Sequence, residues 1–327
     1  MSTAAAVRRP ESTQPPVPPL KTADSDAAKG VALGLLAAVG YSVANLALRQ
    51  LAKGQGGFFW DVWISGMKAL PTFLAAAVLL AMNISKGRTT FPAWSAFRPL
   101  IGAALLMQFG GNLGFQLALR EIGLAITVPI VFSSIIVSGA IVGRIVVGDA
   151  VSVRTAISMG LMVASIGFLS AAAHTGGGSV DPSKSSASFG IAIALVSGVS
   201  YGLCGVVIRR VVQSKLPIEV TLLAFSVTGL LTLCPISAAN LGISGLSAIS
   251  GQDWWTMIAA GTFNAVGFFA ITHALRFLTI SRANVVNASQ NAMCAVGAFV
   301  FFAEPLTSVT LAGIGLTIVG LLILDRK

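Results

Sequence analysis

From Gly30 onward, the chain alternates between long apolar runs and short polar segments. A membrane-spanning helix needs about 20 mostly apolar residues, within a range of roughly 17–25. Ten runs have that length, and they cover residues 30–48, 58–82, 99–119, 123–146, 151–173, 188–208, 218–239, 254–274, 280–302 and 306–324. Several neighbouring runs are joined by only a few residues. The pattern therefore predicts an all-α integral membrane protein with ten antiparallel transmembrane helices.

Polar segments divide this pattern into larger units. Residues 1–29 are polar and proline-rich and lack an apolar core, so we expect a disordered cytoplasmic tail rather than a signal peptide. The longest later connection, residues 174–187, is rich in Gly and Ser. It is expected to link two five-helix units, residues 30–173 and residues 188–327.

Composition supports a lipid environment, because 55% of the residues are hydrophobic and only 10% are charged. Soluble domains carry about 25% charged residues. The three cysteines lie in apolar runs, and the two histidines have no carboxylate cluster beside them. We therefore expect no metal, no cofactor and no enzymatic activity. A GxxxxGK[ST] nucleotide-binding loop is also missing from the sequence, which argues against direct ATP drive.

The net charge of +10 is explained by topology better than by nucleic-acid binding. The basic residues are scattered singly and form no stripe, so nucleic acid is not expected as a partner. Cytoplasmic segments keep an excess of Lys and Arg. With the amino terminus inside, 16 of the 21 basic residues are cytoplasmic, four are outside, and Lys68 lies within a span. This count predicts a cell-membrane protein with both termini in the cytoplasm.

The two halves of the sequence repeat each other. LALR at 117–120 recurs as HALR at 273–276, and GDAVS at 148–152 corresponds to AEPLT at 303–307. Tyr41 and Tyr201 are the only tyrosines, and they occupy matching positions. Because each half has five predicted spans, the second half would enter the membrane from the opposite side. Such inverted repeats are the architecture of alternating-access transporters.

These motifs resemble those of the drug/metabolite transporter superfamily, in its ten-span group with two EamA-type repeats. The resemblance covers residues 30–324 and rests on LREIGLAITVPIVFSS, GDAVS, ALRFLTISRANV, AEPLTS and GIGLTIVG. Asp149 departs from the glutamate that is usual in the family, and the second half has Asn284 or Val285 where a proline might sit. The resemblance implies a transporter, with amino acids or related metabolites as the substrate class.

Two groups of amides lie inside the apolar runs. Asn284, Asn287 and Asn291 have the i, i+3, i+7 spacing of one helix face. A second group, Gln108, Asn112 and Gln116, has i, i+4, i+8 spacing, and the repeat pairs Gln108 with Asn264. Amides that face lipid would be left unpaired at a cost of several kcal/mol each. They therefore form either interhelical hydrogen bonds or the wall of a polar chamber for a zwitterionic or neutral solute.

Charged and aromatic residues complete the candidate site. Lys68 would lie near the bilayer centre, where it either attracts a substrate anion or extends to the interface. The sequence offers Asp61 as a possible proton-coupling group or an interfacial partner, and Tyr41 and Tyr201 as substrate-stacking or packing residues. Two acids, Asp149 and Glu304, each precede a predicted helix and are expected to act as structural caps.

The sequence-based hypothesis is a secondary transporter that exports small polar metabolites, such as amino acids, by alternating access. An alternative is an antiporter of phosphorylated or nucleotide-linked sugars. A channel-like or sensory membrane protein without carrier activity is the alternative from another class. The expected partners are a small-molecule substrate and the lipid bilayer, and both a monomer and a homodimer are compatible with the sequence.

Overall fold

A computed structural model describes residues 21–52, 56–87, 94–175, 185–214, 216–302 and 307–325. In these ranges the chain is helical and has no strand. Its elements are α1 (Lys21–Ala52), α2 (Phe58–Met67), α3 (Leu70–Ser85), α4 (Trp94–Leu105), a π-helix (Leu106–Leu113), α5 (Gly114–Val146), α6 (Val153–Thr175), α7 (Ser185–Gln213), α8 (Ile218–Ser247), α9 (Gly251–Phe277), α10 (Ile280–Asn287), α11 (Gln290–Phe302) and α12 (Ser308–Asp325). The all-helical class predicted from the sequence is confirmed for these residues.

Seven helical segments in the described ranges are long and apolar enough to cross a membrane. They match seven of the ten predicted spans and run over Ser25–Ala52, Phe58–Ser85, Phe97–Leu124, Ile126–Val146, Ser188–Gln213, Ile218–Ser247 and Gly251–Phe277. Two further predicted spans correspond to the shorter apolar helices Val153–Phe168 and Ser308–Ile323. The remaining one, residues 280–302, is divided between α10 and α11.

The ends of the first helices differ from the sequence-based expectation. Helix α1 begins at Lys21, so it takes in the last nine residues of the segment that was predicted as a tail. The predicted boundary between the third and fourth spans lies at Gly123, where φ is +72°. Glycine adopts this left-handed conformation without the steric cost that a Cβ would add. The chain therefore changes direction within α5.

The second span is interrupted at Lys68 and Ala69, between α2 and α3. Pro71 lies at the start of α3 and has no N–H to donate to the preceding turn. Around the break, the amides of Lys68 and Ala69 donate to the carbonyls of Ile64 and Gly66, each at 3.0 Å. The proline thus places a lysine at a helix break in the middle of an apolar span.

A second break separates α10 from α11 at Ala288 and Ser289. Side chains provide hydrogen bonds to the backbone carbonyls there. Ser289 Oγ donates to Val286 O at 2.8 Å, Gln290 Nε2 to Asn287 O at 3.2 Å, and Asn291 Nδ2 to Ala288 O at 2.7 Å. Without water in the bilayer core, these polar side chains are what permits the backbone to leave the helix.

Helices from the two halves pack against each other in a crosswise manner. Helix α1 lies on α9, whereas α7 lies on α5 and the π-helix. In the first contact, a methyl group built on Gly267 would lie 2.9 Å from the ring of Tyr41. In the second, a methyl group on Gly111 would lie 2.9 Å from the ring of Tyr201. Each of the two tyrosines thus packs on a glycine of the other half, at positions that the sequence repeat relates.

Candidate functional site

The helix breaks and the π-helix border a cavity of about 120 Å³ in the middle of the bundle. One water molecule occupies roughly 10–15 Å³ of such cavity volume, so there is room for several waters or a small solute. Apolar walls come from residues such as Phe115, Phe132, Ile135 and Phe268. The polar side chains that line the cavity are Tyr41, Asn45, Lys68, Asn112, Tyr201, Asn264, Asn284, Asn287 and Gln290.

One wall is a hydrogen-bonded network centred on Asn112. Its Oδ1 accepts from Lys68 Nζ at 2.8 Å and from the Tyr201 hydroxyl at 2.7 Å. Its Nδ2 donates to Gln108 Oε1 at 2.8 Å, and Gln108 Nε2 donates to Phe225 O at 2.7 Å. The network joins α2–α3, the π-helix, α7 and α8. It therefore holds Lys68 of the first half and Tyr201 of the second half on the same amide oxygen.

The opposite wall is made of amides from α1, α10 and α11. Asn45 Nδ2 donates to Gln290 Oε1 at 3.1 Å, and Asn284 Nδ2 donates to Ile135 O at 3.4 Å. Asn287 is only 8% exposed, and its Oδ1 has no hydrogen-bond partner among the described residues. A buried acceptor without a partner is costly unless water or a ligand supplies a donor. This wall can therefore accept a hydrogen bond from a solute.

The charge of the lining is unbalanced. Lys68 is 4% exposed, and the described residues offer it no ion pair. None of the described residues that line the cavity is acidic. The site can thus bind an anionic group by charge and neutral polar groups through its amides. In the described ranges no cluster of His, Cys, Asp and Glu could hold a metal ion.

Comparison with models of known protein families finds one match. Residues 188–325 match the model of the EamA-like transporter family. For these residues the match confirms the resemblance noted from the sequence motifs, and it indicates a multi-pass membrane protein of the drug/metabolite transporter type.

A solved structure titled "Crystal structure of protein" has a TM-score of 0.68 to this chain at 15% sequence identity. The alignment covers 90% of this chain and 97% of the other. At that identity the likeness concerns the fold alone. No curated protein matches this sequence significantly.

Seven of the ten residues predicted to bind substrate line the cavity, and the other three lie elsewhere. Gln108 lies behind Asn112, on a smaller neighbouring cavity. The π-helix has i→i+5 bonding, so the α-helical spacing used for Gln108, Asn112 and Gln116 does not hold. The break after α10 likewise turns Asn291 away, and Gln290 takes its place in the wall.

Asp61 and Gln116 form a separate buried cluster with Arg120. Asp61 is fully buried, and its carboxylate accepts from Arg120 Nε and, at 2.9 Å, from Arg120 Nη2. Gln116 Nε2 donates to Asp61 Oδ1 at 3.4 Å. Arg120 is one of the four basic residues that the charge count assigns to the outside, and this pair was not predicted from the sequence. The described geometry gives Asp61 an ion-pair partner, and Asp61 does not line the cavity.

Asp149 bonds to a different helix from the one expected. Its Oδ2 accepts from the backbone N–H of Ile280 at 2.9 Å, at the amino end of α10, and its Oδ1 lies 3.6 Å from Arg209 Nη2. The helix that follows Asp149 in sequence has Ser152 as its cap, with Thr155 N donating to Ser152 Oγ at 3.1 Å. The residue at the amino end of α10 that bonds to Asp149 is 131 residues away in the sequence, so this contact was not predictable from local sequence. Glu304 lies outside the described residues.

Asn45 and Gln290 line the cavity but were not among the residues predicted from the sequence to bind substrate. Asn45 follows Tyr41 by four residues, so it lies on the same face of α1 and could have been found from that spacing. Gln290 is part of the amide-rich stretch, but on an unbroken helix it falls off the face of Asn284 and Asn287. The break that brings Gln290 into the wall is not accompanied by a proline, so the sequence does not indicate it.

Proposed function

We propose that this transporter is a secondary carrier that exports a small polar metabolite, such as an amino acid, by alternating access between two inverted five-helix halves. The observation that carries the proposal is Lys68, a buried cation in the wall of a polar cavity. Its amide partner, Asn112, is shared with Tyr201 from the other half. A solute bound at Lys68 would therefore contact both halves, which is where alternating access requires the site.

The ten-span arrangement is supported by the helix lengths. Seven long segments, two shorter apolar helices and the divided α10–α11 pair add up to ten crossings. The inverted relation is supported by the crosswise contacts of Tyr41 with Gly267 and of Tyr201 with Gly111. An exact two-fold axis in the membrane plane would relate these contacts to each other.

If both termini are in the cytoplasm, the lining residues indicate toward which side of the membrane the cavity extends. In that orientation, Ile208, Leu275 and Ile280 lie on the cytoplasmic side of the midplane, and all three line the cavity. Their counterparts in the repeat are Leu48, Leu119 and Leu124, which are packed in a buried core cluster and do not line it. We therefore assign the conformation to a state whose cavity extends toward the cytoplasm, ready to receive an exported solute.

The lining favours a solute with one negative group. Lys68 is the only cation among the described residues of the wall, whereas six amide side chains are available for neutral or positively charged groups. An amino acid has one carboxylate and an ammonium that can donate to Asn287 Oδ1. A phosphorylated sugar carries about two negative charges on its phosphate monoester, and a nucleotide-linked sugar carries about one on each of its two phosphates, so either would leave part of that charge unpaired. The amino-acid class is therefore preferred.

Flux into vesicles tests the proposal. Purified protein reconstituted in liposomes is expected to show saturable uptake of labelled amino acids, with counterflow when the same amino acids are present inside. Flux that rises linearly with concentration and shows no counterflow would identify a channel instead.

Substitution Lys68→Gln tests the assigned residue. It is expected to raise the KM for solutes that bear a carboxylate, so that their transport is reduced, and to spare neutral polar solutes. The exposed Lys86 provides the matched control, since Lys86→Gln removes the same charge from the surface. An equal loss of all solutes in Lys68→Gln would show that Lys68 supports the structure rather than recognising the anion.

A further inference from the structure

Lys68 is a buried ammonium group with neutral neighbours. It lies ten residues into the segment that begins at Phe58, about 15 Å along the helix. Its Nζ shares the single acceptor Asn112 Oδ1 with the Tyr201 hydroxyl. One shared amide oxygen does not neutralise a full charge. The charge must therefore be balanced by water, by a bound solute, or by loss of the proton.

Among the described residues, the helices packed around Lys68 offer it no counter-ion. The titratable groups that line the cavity with it are Tyr41 from α1 and Tyr201 and Cys204 from α7. Helix α8 adds Cys234, which lies against Gly66. All four are neutral at pH 7 in their ordinary range. The π-helix, α9 and α10 contribute only amides and apolar side chains to this wall in the described ranges.

The acid on the segment of Lys68 itself is not available either. Asp61 precedes it by seven residues, about 10 Å along the helix axis. Its two carboxylate oxygens accept hydrogen bonds from Arg120 and Gln116. Asp61 therefore already has a cation of its own.

This imbalance has a kinetic consequence for a carrier. In an open state, water fills the cavity and hydrates the ammonium group. To change sides, the cavity must close around Lys68 and expel that water. From the insertion cost of a lysine at the bilayer centre, closing around the bare charge slows the step on the order of 100-fold. A carboxylate paired with Lys68 removes that penalty, because the closed cavity then contains a neutral ion pair.

We propose, building on the function proposed above, that Lys68 makes this transporter an exchanger. The cavity changes sides readily with a carboxylate-bearing solute on Lys68 and slowly when it is empty. Export of one solute then depends on the return of another. Asn112 and Tyr201 position the amine. Asn112 supplies the oxygen that accepts from Lys68 Nζ, and the Tyr201 hydroxyl donates to the same oxygen.

Efflux from proteoliposomes tests the exchange. Vesicles loaded with a ¹⁴C-labelled mixture of L-amino acids are diluted into buffer without amino acids or into buffer with the unlabelled mixture. For the unmodified protein, efflux into the unlabelled mixture is expected to be at least 10-fold faster. In Lys68→Gln this ratio is expected to fall to about 1. Lys68→Arg keeps a permanent charge and should keep the ratio above 1, even with slower transport. Lys86→Gln serves as the exposed control.

The outcomes separate the two proposals. Saturable efflux at equal rates in both buffers would overturn the exchange mechanism and leave the carrier function intact. A high ratio in Lys68→Gln would also overturn it, because the coupling group would lie elsewhere. Absence of saturable efflux in both buffers would overturn the proposed function itself.

A measurement on the unmodified protein covers the case in which Lys68→Gln carries no amino acid at all. Raising the pH from 7 to 9.5 increases the neutral fraction of the amine. Efflux into amino-acid-free buffer should then rise relative to exchange, and Lys68→Arg should show no such rise. A ratio that is independent of pH in the unmodified protein would overturn the assignment to Lys68.

Discussion

The buried pair between Asp61 and Arg120 makes an asymmetric stability prediction. The Asp61 side chain is fully buried, whereas the Arg120 side chain is 23% exposed. Removing the arginine therefore leaves a carboxylate that has no access to solvent. Removing the aspartate leaves a guanidinium that can still reach the surface. We expect Arg120→Gln to destabilise the protein more than Asp61→Asn does.

The magnitudes follow from the contacts. Breaking a buried ion pair by removing one partner costs about 3–5 kcal/mol, and this range applies to Arg120→Gln. In Asp61→Asn the charge-assisted hydrogen bonds are lost while the arginine is hydrated, which costs about 1.5–3 kcal/mol. At about 2 °C per kcal/mol, melting temperatures should fall by about 6–10 °C and 3–6 °C. The double variant should be more stable than Arg120→Gln alone, because no buried charge remains.

Thermal unfolding in detergent measures these differences, and Asp26→Asn supplies the control. Asp26 pairs with Lys29 at 3.2 Å, but both side chains are more than half exposed, so its loss should change the melting temperature very little. The reasoning is refuted if Asp61→Asn is the more damaging single change. It is equally refuted if the losses of the two single variants simply add in the double variant.

Further predictions concern the cavity walls and the topology. Asn45→Ala removes the partner of Gln290 and should raise the KM of amino-acid uptake several-fold, measured in proteoliposomes. Asn291→Ala removes a bond at the helix break and should lower stability by about 1 kcal/mol with KM unchanged, measured by thermal unfolding and uptake. Thiol labelling of Gly178→Cys and Lys327→Cys should mark opposite faces of the membrane; labelling from one face would contradict the five-span halves.

The helices were predictable because a membrane span is specified by composition over about 20 residues. The breaks within them were less accessible to sequence reasoning. The break at Lys68 has a local cause in Pro71, whereas the one at Ala288 depends on side-chain bonds within a single turn. Apolar runs do not distinguish an unbroken helix from two half-helices, so the sequence predicts residues 280–302 as one span.

The candidate site was predictable where a residue's depth and chemistry were sufficient. Lys68, Tyr41 and Tyr201 were selected on those grounds, and all three line the cavity. Spacing failed for Gln116 because the π-helix changes the angle between successive turns. Partners distant in sequence could not be inferred at all: Asp149 bonds to α10, and Arg120 to Asp61 across 59 residues.

The break between α10 and α11 divides the amide wall between two helices. Asn284 and Asn287 belong to α10, while Gln290 belongs to α11 and is tied to α1 through Asn45. Because side chains within the same turn bond to its carbonyls, the junction can act as a hinge without leaving backbone groups unpaired in lipid. A tilt of α10 about this hinge would widen or narrow the gap between Asn287 and Gln290. The contacts of a solute held between these two side chains would then change as the cavity opens and closes.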